Sequence, residues 1–248
     1  MDLTNKIATG KSSQVYLHED LAFKVYNETS SKVDVLLEAL NTARVEQTGL
    51  TLPTIQKVTM INNQWTLVMD YIEGPTMATL MKENPNKLEE YISKMVEVQM
   101  TIQSKQCPLL NKLKDKMKAQ IKSLDCIDSI IKYEILTKLE SMPKHDKICH
   151  GDFEPRNIIV SKDGYYTLDW IHATQGNASA DVARTFLLLA LESIETANMY
   201  MDIFCKKSGT RKQYVQQWLP IVAAAQLTKN RPEEKDLLMK WVNVVEYE

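Results

Sequence analysis

The stretch that most constrains this chain is His150-Gly151-Asp152-Phe153-Glu154-Pro155-Arg156-Asn157, followed by Asp169 within Thr167-Leu168-Asp169-Trp170. Ile148-Cys149 leads in and Ile158-Ile159-Val160 leads out, so short buried strands are expected around a polar loop. Asp163-Gly164 reads as a two-residue hairpin turn between Val160 and Tyr165. Such a hairpin carries Asn157 at its entry and Asp169 at its exit, and is expected to bring both near Asp152. Two carboxylates and one amide oxygen, with no Cys or His placed to join them, suit a hard cation such as Mg²⁺. A cation that neutralises phosphate charge, beside one spare carboxylate base, is the equipment of phosphoryl transfer.

The pattern His-Gly-Asp-x-x-x-x-Asn with a later strand-end Asp resembles the catalytic loop of the aminoglycoside phosphotransferase and choline kinase group. These are small-molecule kinases with a protein-kinase-like fold. His150-Gly151-Asp152 stands where a protein kinase has His-Arg-Asp, and Leu168-Asp169-Trp170 replaces Asp-Phe-Gly. No Ala-Pro-Glu segment follows, so the small-molecule branch is favoured. The resemblance implies that Asp152 orients and deprotonates the acceptor hydroxyl. It also implies that Asn157 and Asp169 hold Mg²⁺ and that ATP (or GTP) is the phosphoryl donor. The competing reading, an Asp-rich surface turn capping local backbone, does not account for the other family parts appearing in order.

A chain of 248 residues allows one large domain or two lobes with a core. Its hydrophobic content of 44% argues against disorder, and its net charge of −2 gives no reason to expect nucleic acid as a partner. Cys107, Cys126, Cys149 and Cys205 are far apart and fit no metal spacing, which suits reduced thiols of a cytoplasmic protein. The N-terminus has no apolar signal core, and no apolar run reaches membrane-spanning length.

In chain order, Ile7–Leu17 reads as strand, polar turn and strand, and Leu21–Tyr26 as a third strand. Gly10-Lys11-Ser12 is not a Walker A loop, because Asn5 stands where that motif needs Gly and a strand-like run follows. In the kinase-like reading the turn at Ser12 and Ser13 covers the nucleotide phosphates with backbone N–H groups. Lys24 sits mid-strand and is either an edge lysine facing water or, as the resemblance implies, the phosphate-binding lysine held by a glutamate on the next helix. That helix is expected over about 31–47, with Val33, Leu36, Leu37, Leu40 and Ala43 as its buried face. Glu38 and Glu46 are the candidate partners, and the resemblance favours Glu38, which lies at the family's usual distance from the Gly49–Pro53 segment. Losing that pair is expected to misplace the phosphates more than to unfold the protein. Ile55–Ile61 and Trp65–Tyr71 read as a hairpin turning at Asn62-Asn63 and complete a five-stranded sheet. By resemblance, the Asp70 carbonyl and Ile72 amide contact the adenine and Met69 lines the base pocket. Gly74-Pro75 marks a boundary.

After it the chain turns helical. A stripe through Leu88, Tyr91, Ile92, Met95 and Val96 reads as a core face. The span from Lys105 to Lys122 holds six lysines against one Asp. It lacks interleaved aromatics, and a solvated helical face is expected. A further helix covers Ile127–Leu139. Ala173–Asn177 reads as a loop. Ser179 is expected to cap a helix whose Phe186–Leu191 segment forms a buried spine. The resemblance makes Asp181 an anchor for the catalytic-loop backbone. Helices at about 196–206, 211–227 and 233–245 carry Glu192, Glu195, Asp202, Glu233, Glu234, Asp236, Glu246 and Glu248. In the family such a region holds the acceptor, and acidic side chains there fit a cationic one.

The expected fold is therefore α+β and protein-kinase-like, with two lobes. A five-stranded antiparallel sheet with one helix forms residues 1–72 and binds nucleotide. A mainly helical lobe, residues 73–248, carries the catalytic loop and acceptor site. The expected partner is a small-molecule hydroxyl acceptor (an aminoglycoside, amino alcohol, thiamine or sugar), with neither nucleic acid nor membrane, and the oligomeric state is left open. The alternative is a catalytically inactive nucleotide-binding regulator of the same fold, whose mark would be the loss of Lys24, Asp152, Asn157 or Asp169; all four are present.

Overall fold

Tight turns set the strand layout of the computed structural model, which describes residues 3–243. Strands β1 (Lys6–Thr9), β2 (Ser13–His18) and β3 (Leu21–Tyr26) precede helix α1 (Lys32–Glu46). Then come β4 (Ile55–Ile61), β5 (Gln64–Asp70), α2 (Met77–Glu83), α3 (Leu88–Gln103), α4 (Leu113–Lys122) and α5 (Ser129–Ser141). Short strands β6 (Lys147–Cys149), β7 (Ile158–Ser161), β8 (Gly164–Thr167) and β9 (Thr174–Gly176) follow, with 3-10 turns at Pro155–Asn157 and Trp170–His172. Helices α6 (Ala178–Ala190), α7 (Ile194–Ser208), α8 (Lys212–Gln216), α9 (Leu219–Leu227) and α10 (Pro232–Val242) complete the order. By packing the chain divides into two compact units, Met1–Glu83 with Pro155–His172, and Asn84–Glu154 with Ala173–Glu248. The architecture is the expected α+β one, a five-stranded antiparallel sheet with a mainly helical remainder.

In the first unit the sheet runs β1-β2-β3-β5-β4. Asn62 and Asn63 both take positive φ between Ile61 and Gln64, as a type I′ hairpin requires. Strand β3 is central, so Lys24 is an interior residue paired with Val15 and Leu67, not an edge lysine. Helix α1 is capped by Ser31 and packs through Val35 on Tyr26 and Leu67. The buried face expected from periodicity is wrong. Val33, Leu36 and Leu40 are exposed, as is Ala43, while Val35, Glu38, Asn41, Thr42 and Val45 are buried. The helix is turned so that Glu38 faces the sheet, and its partners there outweigh the apolar stripe.

The β7–β8 hairpin also differs from expectation. Ser161 pairs with Gly164, so the two-residue loop is Lys162-Asp163 and Gly164 opens β8 at φ 134°. The hairpin is tied to the sheet's exit segment by Val160 N–H donating to the Pro75 carbonyl at 2.9 Å, and to the strand approach by Thr167 N–H donating to the Thr51 carbonyl at 3.1 Å. Gly74, at φ 146°, lies against this hairpin, and a Cβ there would overlap the Val160 carbonyl. Gly74→Ala is therefore expected to destabilise by about 1–3 kcal/mol, read as a lowered Tm; an unchanged Tm would contradict this close approach.

In the second unit α6 is the buried centre, flanked by α7, α8, α9 and β6. Its N-cap is Asn177, whose side chain accepts the Ser179 N–H at 3.0 Å, rather than Ser179 itself. The segment read as a loop contains β9, which pairs with β6 through Lys147–Gly176, Ile148–Gln175 and Cys149–Thr174. The helix expected over 211–227 is broken into α8 and α9, with Pro220 in the first turn of α9. Glu246 and Glu248 lie outside the described residues. Among the described residues, no helix is long and apolar enough to cross a membrane.

Candidate active site

The first unit builds one charged cluster. Lys24 Nζ lies 2.7 Å from Glu38 Oε1 and 3.4 Å from Asp169 Oδ2. Tyr26 Oη donates to the other Glu38 oxygen at 2.5 Å, so both carboxylate oxygens of this buried residue are used. Burial alone would lower the Lys24 pKa, but the Glu38 and Asp169 carboxylates outweigh it and hold the ammonium above its usual value. Burial, helped by Asp169, pushes Glu38 upward against the pull of Lys24. Of the two candidate partners, α1 therefore presents Glu38 to Lys24.

Asp169 is held by its neighbours. Leu168 N–H donates to the Asn157 carbonyl at 2.9 Å, which places the entry and exit of the hairpin side by side. The buried Trp170 indole donates to the Thr167 carbonyl at 3.1 Å, and Asn41 Nδ2 of α1 donates to the Ile171 carbonyl at 3.2 Å. Between these anchors Asp169 takes φ 62°, a left-handed conformation that Asp tolerates better than most residues. Its Oδ1 is buried and has no hydrogen-bond partner among the described residues. An orphaned carboxylate oxygen next to the Asn157 backbone fits an oxygen-ligated divalent cation. Among the described residues no group of three His, Cys, Asp or Glu could form a metal cage. The fit is thus to a cation that takes one carboxylate and an amide and completes its shell with phosphate and water, as Mg²⁺ does.

The polar turn before β2 is closed by Gly10 N–H donating to the Ser13 carbonyl at 2.8 Å. The Ser12 carbonyl accepts from Asn27 N–H at 2.8 Å, so the segment after β3 pins the loop. At the sheet's exit, Asp70 N–H donates to the Thr54 carbonyl and Tyr71 N–H to the Asp20 carbonyl. The Asp70 side chain accepts from Gln56, while Met69 packs on the apolar cluster under α1. Ile72, two residues beyond β5, is half-buried.

The second unit holds Asp152. Strand β6 delivers His150, fully buried, then Gly151 at φ 81° and Asp152. Asp152 N–H donates to His150 Nδ1 at 3.2 Å, so a neutral His150 carries its proton on Nε2. Two residues of α6, three apart and so on one face, clamp Gly151. Asp181 Oδ1 accepts the Gly151 N–H at 2.7 Å, and Arg184 Nε donates to the Gly151 carbonyl at 2.5 Å. Asp181 Oδ2 takes a further bond from Gln99 Nε2 at 3.1 Å, and Gln99 is itself held by Thr185 and the Tyr200 hydroxyl. Asp181 is thus the backbone anchor it was expected to be.

Arg184 was missed by the sequence reading. Its Nη2 lies 3.5 Å from Asp152 Oδ1 and its Nη1 donates to Gln226 Oε1 at 2.8 Å. The i,i+3 spacing of Asp181 and Arg184 was the available signal. Gln226, on α9, had none. On the lysine-rich helix expected to be a solvated face, Lys116 is half-buried. Burial, with Arg184 and Lys229 nearby and Asp152 opposing, pushes its ammonium down to about 8. The expected acidic acceptor side chains are engaged or outward. Asp202 pairs with Lys212 at 2.6 Å, Glu195 accepts from Ser193, and Glu234 accepts from Arg231 and Gln226.

The family model described as "Phosphotransferase enzyme family" matches residues 4–219. No curated protein matches the chain in sequence. Among solved structures, the chain is similar to the apo form of a thermostable mutant of aminoglycoside phosphotransferase APH(4)-Ia, with 14% identity, 98% of this chain and 91% of that chain covered, and a TM-score of 0.69. A ternary complex of such a mutant with AMP-PNP and hygromycin B matches at 12% identity, 96% and 89% coverage, and a TM-score of 0.69. Choline kinase LicA from Streptococcus pneumoniae matches at 13% identity, 98% and 93% coverage, and a TM-score of 0.66. At these identities the likeness carries the protein-kinase-like fold.

Proposed function

Since this chain belongs to the phosphotransferase enzyme family, we propose that it moves the γ-phosphoryl of ATP (or GTP) to a hydroxyl of a small molecule. In this reading residues 1–72 bind the nucleotide and residues 73–248 supply the catalytic loop and the acceptor site. The protein works in the cytoplasm on a small molecule, with neither nucleic acid nor membrane as partner. The observation that supports it best is the orphaned Asp169 oxygen beside a lysine already paired with a buried glutamate. A structural ion pair has no need of the spare carboxylate, and a phosphate-metal site does.

Each residue has a role in that chemistry. Lys24, fixed by Glu38, places its charge on the donor phosphates. Ser12 and Ser13 cover the phosphates through the backbone, and the Asp70 carbonyl and Ile72 amide hold the base beside Met69. Asn157 and Asp169 hold Mg²⁺, which supplies charge neutralisation at the transferring group. Asp152 orients the acceptor hydroxyl and takes its proton. The similar structure bound to AMP-PNP and hygromycin B has the same fold, which supports a nucleotide donor and a small-molecule acceptor.

Lys24→Met tests the nucleotide half. Removing the ammonium leaves Glu38 buried, but burial already pushes that carboxyl upward, so it can take a proton and the chain still folds. Titration of wild type and variant with ATP and GTP, with and without Mg²⁺, should show Mg²⁺-dependent binding to the wild type and at least about tenfold weaker binding to the variant. Absence of nucleotide binding to the wild type would overturn the reading.

A further inference from the structure

One cavity of the second unit lies outside the machinery described above. Its volume is about 820 Å³, and its walls come from α3, the start of β6, the first turn of α6, the end of α7 and the start of α8. Its lining includes none of Gly151, Asp152 and Arg184, and no acidic side chain. It does include His145, Lys147 and Arg211, which carry or can take positive charge. Lys147 is half-buried, and neither it nor Arg211 has an ion pair or a side-chain hydrogen bond among the described residues. The acids close in sequence are engaged. Asp146 accepts from Gln106 at 2.8 Å, and Asp202 pairs with Lys212 at 2.6 Å.

Donors are left over at the same place. Ser179 is only 6% exposed and lines the cavity, yet its hydroxyl has no hydrogen-bond partner among the described residues. The Tyr214 hydroxyl accepts from Asn177 Nδ2 at 2.7 Å, which leaves its own proton to donate into the cavity. Asn177, Ala178 and Ser179 bring the N-terminal end of the 13-residue α6 to this wall, and that end carries partial positive charge. Cations, a buried unpaired hydroxyl and a helix N-terminus, with no acid among the lining, form a donor set without its acceptor. Met100 and Phe204 add apolar surface, so the cavity suits an organic molecule better than a bare ion.

We propose that this cavity is an effector site for a small organic anion, one bearing a phosphate or a carboxylate group. Ser179 and Tyr214 donate to that group, and Lys147 and Arg211 neutralise it. The walls it joins are the ones that position the catalytic loop. Strand β6 starts at Lys147 and delivers Gly151, while α6 supplies Asp181, two residues after Ser179, to accept the Gly151 N–H. An anion held between the start of β6 and the start of α6 steadies both sides of that clamp.

The test is calorimetric titration of the full chain with glucose 6-phosphate, 3-phosphoglycerate, fructose 1,6-bisphosphate and citrate, with glucose and glycerol as uncharged controls. The phosphate and citrate arms tell which anionic group fits. No nucleotide is present, so the outcome does not depend on the phosphotransferase reading. At least one anion should bind saturably, with no binding of its uncharged control. Arg211→Glu, a charge reversal at an exposed position, should weaken that anion by about tenfold or more. Ser179→Ala should weaken it by about fivefold, the loss of one neutral hydrogen bond. Lys24→Met should leave it unchanged, which separates this cavity from the proposed nucleotide-phosphate site. Hydrogen exchange of the 148–152 backbone should slow by about threefold or more when the anion is bound to wild type, and not in Arg211→Glu. The inference is overturned if none of the anions binds, or if Arg211→Glu binds as tightly as wild type. It is equally overturned if Lys24→Met abolishes binding, or if saturating anion leaves exchange at 148–152 unchanged.

Discussion

Asp152→Asn lowers phosphoryl transfer by about 10²–10⁴-fold, the range for removing a positioned general base, and leaves nucleotide affinity near its wild-type value. The amide keeps the shape of the side chain and can still accept from Arg184, so Gly151 and the loop stay clamped by Asp181 and Arg184. What it loses is the capacity to take the acceptor's proton. The groups proposed to hold the nucleotide, Lys24 and Asp169 among them, belong to the other compact unit and keep their own contacts. Steady-state turnover alongside a nucleotide titration separates the two effects. Undiminished turnover in the variant would remove Asp152 from the role of base.

Asp169→Gly abolishes the Mg²⁺-dependent part of nucleotide affinity. Glycine is chosen because Asp169 sits at φ 62°, where an alanine would add backbone strain of roughly 1–2 kcal/mol. Glycine adopts that conformation freely. Folding is further secured by anchors on both sides, Leu168 to Asn157 and Trp170 to Thr167. The orphaned Oδ1 disappears, and Lys24 keeps Glu38 as its partner. Titrations with ATP at increasing Mg²⁺ should show dependence on the metal in the wild type and none in the variant. Identical Mg²⁺ curves would sink the assignment of Asp169 as a metal ligand.

Much of this architecture was readable because its signals are local. Paired asparagines at 62–63, the alternating strands and the loop from His150 to Asn157 each carry their meaning within a few residues. The fold class and the pairing of Lys24 with Glu38 follow from such signals together with family resemblance. Rotation of α1 was not readable. Its apolar stripe at Val33, Leu36 and Leu40 points outward because Lys24, Tyr26 and Ile171, in the 3-10 turn after the hairpin, make polar bonds on the opposite face. Those partners lie up to 130 positions away in sequence. For the same reason a lysine-rich helix looked like a solvated surface, although Lys116 is half-buried and its ammonium feels the charge of Arg184, 68 positions later by numbering. Ser179 looked like the cap of α6, but Asn177 lies just ahead of the helix and its side chain reaches back to the Ser179 N–H. Periodicity reports which residues share a face; it does not report which face a distant charged partner will claim.

The most direct test of phosphoryl transfer is acceptor-dependent ADP (or GDP) release with Mg²⁺ and nucleotide. The panel spans anionic, neutral and cationic hydroxyl compounds, with Asp152→Asn run in parallel. The account predicts release that requires both Mg²⁺ and one class of acceptor, matched by formation of the phosphate ester, and lost in the variant. Release that persists in Asp152→Asn, or a wild-type chain that binds no nucleotide at all, would contradict it.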